Sequence, residues 1–236
     1  MIRLELNGAS VLYTAREGGV SEGPYAELNL GPWTEDDPEA VSANHDLLAV
    51  AAHLRRHDFA WGHQVHGIDV RALREPPAED DRALQTDGQA TRLTGVAPTV
   101  FVADCLPVAL SSGDGVAMLH AGWRGLAGGI LERGVATLRG LGARGDVHAA
   151  IGPGAGPCCY EAGEEVHAAF GDLGPAVRNG RNVDLKAIAT ARLREAGVEE
   201  VHDAGMCTIC GDPALFFSHR RDGGVTGRQA GVAWRN

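Results

Sequence analysis

"ADCLPVALSSGDGVAMLHAGWRG", Ala103 to Gly125, holds two short apolar runs, Val108–Leu110 and Val116–Leu119, on either side of a Ser-Ser-Gly-Asp-Gly turn. Two strand-length runs about a glycine-rich turn read as a buried β-hairpin. Folding the chain about Gly113 sets Leu106 across from His120, which leaves Cys105 within one residue of that histidine at the open end. A cysteine and an imidazole gathered at one end of a buried hairpin mark a place where chemistry can be held on a rigid support.

The pattern outward from the hairpin is mixed. Short strands are expected over Arg3–Leu6 and Val11–Thr14, in "PTVFVA", in "VHAAIG", and on either side of a break near Gly67 in "FAWGHQVHGIDVRAL". Helices are expected in "TEDDPEAVSANHDLLAVAAHL", where acids and Pro38 lead an apolar periodic run, and in "LAGGILERGVATLRGL". Further helices are expected after the Gly-rich turn of "PGAGPCCYEAGEEVHAAF" and in "DLKAIATARLREAG", with Gly197 placed to stop it. "REPPAEDDRALQTDG" reads as an exposed loop, and "ALFFSHRRDGGVTGRQAGVAWRN" as two strand-like runs about a turn. The expected fold is α+β: a single domain over residues 1–236, with mixed β-sheets flanked by helices. At 44% hydrophobic and 22% charged residues the chain can bury a sizeable core. Its net charge of −10 opposes non-specific binding of nucleic acid or anionic membranes. No run reaches spanning length and no signal-peptide core leads the chain, so the expected place is the cytoplasm. The oligomeric state is left open.

Thiolate and imidazole are zinc ligands, and a zinc site needs at least a third. His66 in "HQVHG", at a strand end and followed by a glycine, is the best remaining candidate. His66, Cys105 and His120 would leave a fourth position for water, whose pKa such a site brings to about 7. Two other readings of the same residues stand beside this one. Cys105 can be a small buried hydrophobe, or a nucleophile with His120 as its base.

"QVHG", "ADCLP" and "HAGWRG", in this order, resemble the polyphenol oxidase or laccase-domain family, whose members are also called peptidoglycan editing factors and purine nucleoside phosphorylases. The resemblance continues through "TAREGGVSEGPYAELNLG", "DDPEAVSANHDLL", "IGPGAGPCCYEAGEEV", "CTIC" and "FFSHRRDGGVTGR". Carried over, the family's zinc ligands fall on His66, Cys105 and His120. The resemblance implies phosphorolysis of adenosine, inosine, guanosine and methylthioadenosine, and deamination of adenosine by zinc-bound hydroxide. The partners would be a small nucleoside and phosphate. Other readings are an amidase that removes L-serine from UDP-MurNAc-L-Ser, a copper-dependent phenol oxidase, and a non-enzymatic zinc protein. The chain departs from the family pattern at His45, Gly154, His219 and "TDGQAT", while Asp87 is kept.

Arg124 in "HAGWRG" and Arg228 are candidate substrate anchors, able to bind phosphate or a ribose oxygen, and Arg220 and Arg221 could join them. Asp104, beside Cys105, is a candidate to orient a ligand histidine or shuttle a proton, or else a turn cap. Asp87 is a weaker candidate of the same kind. His63 lies three residues before His66, and strand alternation would turn it to the opposite face. "CTIC", Cys207 to Cys210, has the spacing of metal and redox pairs. Its only partners are the adjacent Cys158 and Cys159, a poor arrangement for a four-cysteine zinc site, so a structural role is expected there, with a redox-sensitive pair as the alternative. "GPGAGP" fails as a dinucleotide loop because Pro157 stands where the third glycine belongs.

Overall fold

A computed structural model describes residues 1–235. In chain order its elements are β1 (Ile2–Leu6), β2 (Ala9–Tyr13), α1 (Pro38–Ala52), β3 (Phe59–Ala60), β4 (Val70–Leu73), β5 (Gly88–Thr91), β6 (Ala97–Val102), β7 (Leu106–Ser111) and β8 (Val116–Ala121). There follow α2 (Trp123–Gly128), α3 (Ile130–Gly140), β9 (Val147–Ile151), α4 (Glu164–Ala169), β10 (Arg178–Asn179), β11 (Asn182–Val183), α5 (Leu185–Glu195), β12 (Val198–Asp203) and β13 (Gln229–Trp234).

The strands form two main sheets, ordered β1-β2-β13-β6-β3 and β12-β9-β7-β8-β5-β4, and both mix parallel with antiparallel pairs. The sheets face each other across Val11, Tyr13, Val100, Val102, Ala109, Met118, Ala150 and Ala233. The Tyr13 hydroxyl donates to the Ala150 carbonyl at 2.6 Å, tying one sheet to the other within that core. On its far face the six-stranded sheet packs Val108, Leu110 and Leu119 against Leu131 and Leu138 of α3 and Ile188 and Leu193 of α5. The five-stranded sheet is covered by α1 through Leu48 and Ala52, packed with Leu12, Phe59 and Val232. The result is a helix–sheet–sheet–helix stack, the α+β architecture expected. Strands β6 to β9 are buried almost along their whole length because each of their faces meets another layer.

Local chemistry places the helix ends. The Asp37 carboxylate accepts the Glu39 amide at 2.9 Å at the start of α1, and Asp184 accepts the Lys186 and Ala187 amides at the start of α5. The helix expected over "LAGGILERGVATLRGL" is broken in two, because Gly129 adopts φ +94° and ends α2 in a left-handed cap. The C-terminal run expected to form two strands forms one. Around Phe216 and Phe217 the chain is instead wrapped about Arg221, whose guanidinium donates to the Phe216 and Thr208 carbonyls. Within "REPPAEDDRALQTDG", expected to lie exposed, the last residues turn inward and Asp87 is wholly buried.

The hairpin of β7 and β8 forms, but one residue out of the expected register. Leu106 faces Ala121 and Pro107 faces His120. The four-residue loop Ser112–Gly115 closes through Ser112 N to the Gly115 carbonyl, so the chain does not fold symmetrically about Gly113. The shift matters, because side chains alternate faces and a one-residue change moves every one of them. In the observed register the residue across from Cys105 would be Gly122, two along from His120. Cys105 and His120 are therefore diagonal neighbours on one face.

Candidate functional site

The link Ala103–Cys105 carries the chain from β6 in one sheet to β7 in the other, and Cys105 sits at its end. His120 is buried near the end of β8, and His66 is exposed in the loop between β3 and β4. Their ligating atoms all lie within 4.8 Å of one another, with His66 Nδ1 3.9 Å from Cys105 Sγ. The two imidazoles meet edge to face, with ring centroids 4.7 Å apart.

A single carboxylate organises two of the three. Asp87 Oδ1 accepts from His120 Nδ1 at 2.7 Å and from the His66 amide at 2.9 Å. Its Oδ2 accepts the Val65 amide at 3.1 Å and the Gly67 amide at 2.7 Å. The three amides close around the carboxylate and hold His66 at φ +59°, a conformation that costs a non-glycine residue free energy. Gln64 pins the same loop, exchanging hydrogen bonds with the backbone N–H and carbonyl of Phe101, both at 2.8 Å. Asp87 reaches His120 because its own carbonyl accepts the His120 amide at 2.7 Å where β5 begins beside β8.

The donor set fits a metal ion. With Nδ1 donating to Asp87, Nε2 is the His120 nitrogen left for coordination once a metal displaces its proton. Burial pushes the Cys105 thiol up. The His120 charge, together with hydrogen bonds from His120 and His66, outweighs that and holds the thiol well below its ordinary value. Burial alone lowers the pKa of His120, but Cys105 and Asp87 reverse the effect and raise it. A β-carbon on Gly122 would stand 2.8 Å from His66 Nδ1 and 2.9 Å from Cys105 Sγ, so the glycine leaves room beside the donors.

The cluster opens into a cavity of about 410 Å³, within the size range of small-molecule sites. Arg124, Arg220 and Arg228 line it, and none forms an ion pair with a carboxylate among the described residues. Arg228 is half-buried and donates to the Thr226 and Gly227 carbonyls, Arg220 lies over the Tyr160 ring, and Arg124 over Trp123. Trp33 and His63 stack at 4.7 Å on the same wall, and Phe101 adds another aromatic face.

Other residues singled out from sequence stand in different places. Asp104, held at φ +84°, accepts from Thr208 Oγ1 at 2.6 Å and from the Arg220 amide at 2.7 Å, so its carboxylate fastens the 208–220 segment to the cavity wall. Arg221 pairs with Asp222 and lies outside the cavity lining. His63 lines the same cavity as His66, against expectation, because the intervening residues form a loop in which strand alternation does not hold. His45 is buried with Nε2 3.0 Å from the Leu30 carbonyl and borders a separate cavity beside α1, whereas His219 lines the main one. The four remaining cysteines were expected to be poorly placed for one another. Instead their sulfurs all lie within 4.8 Å. Trp33 and Tyr160 were missed from sequence, since aromatic residues in loops carry no periodic signal of what they face.

A family model described as multi-copper polyphenol oxidoreductase laccase matches residues 10–236. A protein of Pseudomonas aeruginosa named as a purine nucleoside phosphorylase is 40% identical over 233 residues, covering 94% of this chain and 91% of its own. A Streptomyces coelicolor protein with the same name is 38% identical over 97% of this chain and 96% of its own. Among solved structures, YlmD of Geobacillus stearothermophilus superposes with a TM-score of 0.86 at 33% identity, covering 97% of this chain and 92% of its own. A hypothetical protein of Bacillus licheniformis, YfiH, gives a TM-score of 0.89 at 28% identity over 98% and 94%.

Proposed function

The chain belongs to the multi-copper polyphenol oxidoreductase laccase family, and from that membership we propose a zinc-dependent purine nucleoside phosphorylase that acts in the cytoplasm as one domain. The observation that carries this reading is the meeting, around one cavity, of three arginines without carboxylate partners and a His66–Cys105–His120 cluster. Guanidinium groups freed from internal ion pairs suit a phosphate. Aromatic faces at Trp33, His63 and Phe101 suit a flat base. The relatives' shared name, purine nucleoside phosphorylase, supports the same choice.

In this reading His66, Cys105 and His120 would hold the metal, which when bound would supply Lewis acidity. Arg228 and Arg124 hold phosphate so that one of its oxygens meets the sugar carbon while the glycosidic bond breaks and the base departs. Asp87 keeps His120 in the tautomer that can coordinate, and Asp104 keeps the wall bearing Arg220 in place. Zinc is favoured over copper because the thiolate and two imidazoles form the only histidine-containing cluster among the described residues, whereas multicopper oxidation requires several. Deamination of adenosine by the same protein would need water to reach the purine carbon bearing the amino group, while phosphorolysis needs phosphate at the sugar carbon. One bound pose cannot present both carbons to the same site, so the two reactions would use two substrate poses, or a metal held there would serve only one of them.

The test is product analysis by mass spectrometry after incubation with adenosine and phosphate, with a folded Cys105→Ala variant alongside. Adenine with ribose 1-phosphate, lost in the variant, is the expected result, and inosine would add the deaminase activity. No turnover by folded, zinc-loaded protein would refute the nucleoside reading and turn attention to the muramoyl-serine amide.

A further inference from the structure

Four cysteines come together next to Tyr160, which lines the cavity. Cys158 and Cys159 lie in a turn closed by the Cys159 and Tyr160 amides on the Gly156 carbonyl. Cys207 and Cys210 lie in a second turn, closed by the Gly211 amide on the Cys207 carbonyl. The two turns run side by side through a bridge between Gly154 and Cys207. Cys158 Sγ is 3.4 Å from Cys159 Sγ and 3.2 Å from Cys210 Sγ, and Cys159 Sγ is 3.3 Å from Cys207 Sγ. All four are unbridged.

We propose that Cys158, Cys159, Cys207 and Cys210 form a second metal site, a tetrathiolate that takes Zn²⁺ and acts as a structural staple. A zinc–sulfur bond of about 2.3 Å implies sulfurs about 3.8 Å apart around a tetrahedron, a few tenths of an ångström from the spacing already present. A disulfide would demand about 2.05 Å. Nor do the four thiols gather to bury apolar surface, because Cys158 and Cys210 are exposed. The surroundings suit a bound thiolate. The Gly156 amide donates to Cys207 Sγ at 3.2 Å, and the Ile209 and Cys210 amides also point at that sulfur, offsetting the negative charge of such a centre. A β-carbon on Gly156 would lie 3.3 Å from Cys158 Sγ and 3.4 Å from Cys207 Sγ, so the glycine keeps the sulfurs accessible to a common ion. Four sulfur donors leave no open position, the mark of a structural site.

The position in the fold says what is stapled. Tyr160 follows Cys159 directly and packs beneath Arg220. Thr208 follows Cys207 and holds the Asp104 carboxylate beside Cys105. A metal here would add a crosslink between two turns whose backbones otherwise meet through the Gly154–Cys207 bridge, and so would help fix the wall that carries Tyr160.

The test uses the full chain with Cys105→Ala, which removes the His66–Cys105–His120 centre and leaves the other four thiols. Purified with reductant, equilibrated with Zn²⁺ and desalted, this variant should retain one zinc per chain by elemental analysis. Substituted with Co²⁺, it should show the sulfur-to-metal charge-transfer absorption of a tetrahedral tetrathiolate. Adding Cys207→Ser and Cys210→Ser should abolish both signals. The Cys105→Ala readouts stand alone even if the triple variant does not fold. The proposal is overturned if Cys105→Ala retains no zinc and gives no thiolate spectrum. It is equally overturned if alkylation without reductant, followed by intact mass, finds these cysteines joined in disulfides in freshly purified protein. Neither readout uses nucleoside turnover, so the outcome is separate from that of the proposed activity.

Discussion

Replacing Asp87 with asparagine tests how the His66–Cys105–His120 centre is organised. Asp87 is completely buried and accepts four hydrogen bonds, two on each oxygen. Asparagine has one acceptor oxygen, so either orientation of the amide leaves two donors facing its NH₂ group. With nitrogen at the Oδ1 position, the His66 amide loses its acceptor and His120 must flip tautomer, placing the proton on the nitrogen needed for coordination. With nitrogen at the Oδ2 position, the Val65 and Gly67 amides are orphaned and the left-handed turn at His66 loses its support. The first orientation orphans one buried donor and the second two, at about 1–3 kcal/mol each, so the metal-free protein, taking the less costly one, should lose roughly 1–3 kcal/mol of stability. Zinc affinity should fall about 10- to 100-fold, the usual effect of removing a group that orients a ligand histidine. Chelator competition measures the second quantity and urea unfolding of the metal-free protein the first. Affinity and stability both at wild-type values would refute the account of Asp87 as organiser.

Three further predictions rest on separate features. Gly122→Ala is compatible with the backbone there, at φ −76°, yet its methyl would press on His66 and Cys105; near-native unfolding of the metal-free protein, with zinc binding weakened at least about tenfold, is expected from thermal melts and metal titration. Arg228→Gln should raise the KM for phosphate about 10- to 100-fold while sparing the KM for nucleoside, as loss of a charge-assisted contact requires, and equal changes in both would remove the arginine from the phosphate site. His45 is held neutral, chiefly by burial, with its pKa lowered to about 4. The unfolded chain therefore binds the extra proton first, so this contribution is complete above pH 6.5 and drains away as pH falls toward 4, about 3 kcal/mol in all. His45→Gln should flatten that part of a stability–pH curve, and a curve unchanged by the substitution would assign the slope elsewhere.

The parts of the molecule legible in the sequence were those where a local rule acts alone. β7 and β8 show as apolar runs about a glycine turn, α5 as a periodic stretch with Asp184 before it and Gly197 after it, and the three proposed ligands as residue types with metal chemistry. What escaped depended on contacts between distant segments. The hairpin slipped one residue because its four-residue loop, rather than the symmetry of the apolar runs, sets the register. The role of Asp87 is invisible without the loop that folds three amides around it. Cys158 and Cys159 looked badly placed because adjacency along a chain says little about where two turns meet. Arg124 and Arg228 could be named as anion ligands, but the absence of a competing carboxylate is a property of the assembled cavity.

Because Ala103–Cys105 is the passage from one sheet to the other, the His66–Cys105–His120 cluster and its cavity belong to neither. Cys105 and His120 hang from the six-stranded sheet, while the His66 loop is buttoned through Gln64 to Phe101 of the five-stranded one. Such a centre cannot be lifted out as a loop and grafted onto another scaffold, since half of its alignment would stay behind. An engineer wishing to move this arrangement would have to transplant the interface between the sheets, Tyr13 and its tie to Ala150 included, along with His66, Cys105 and His120.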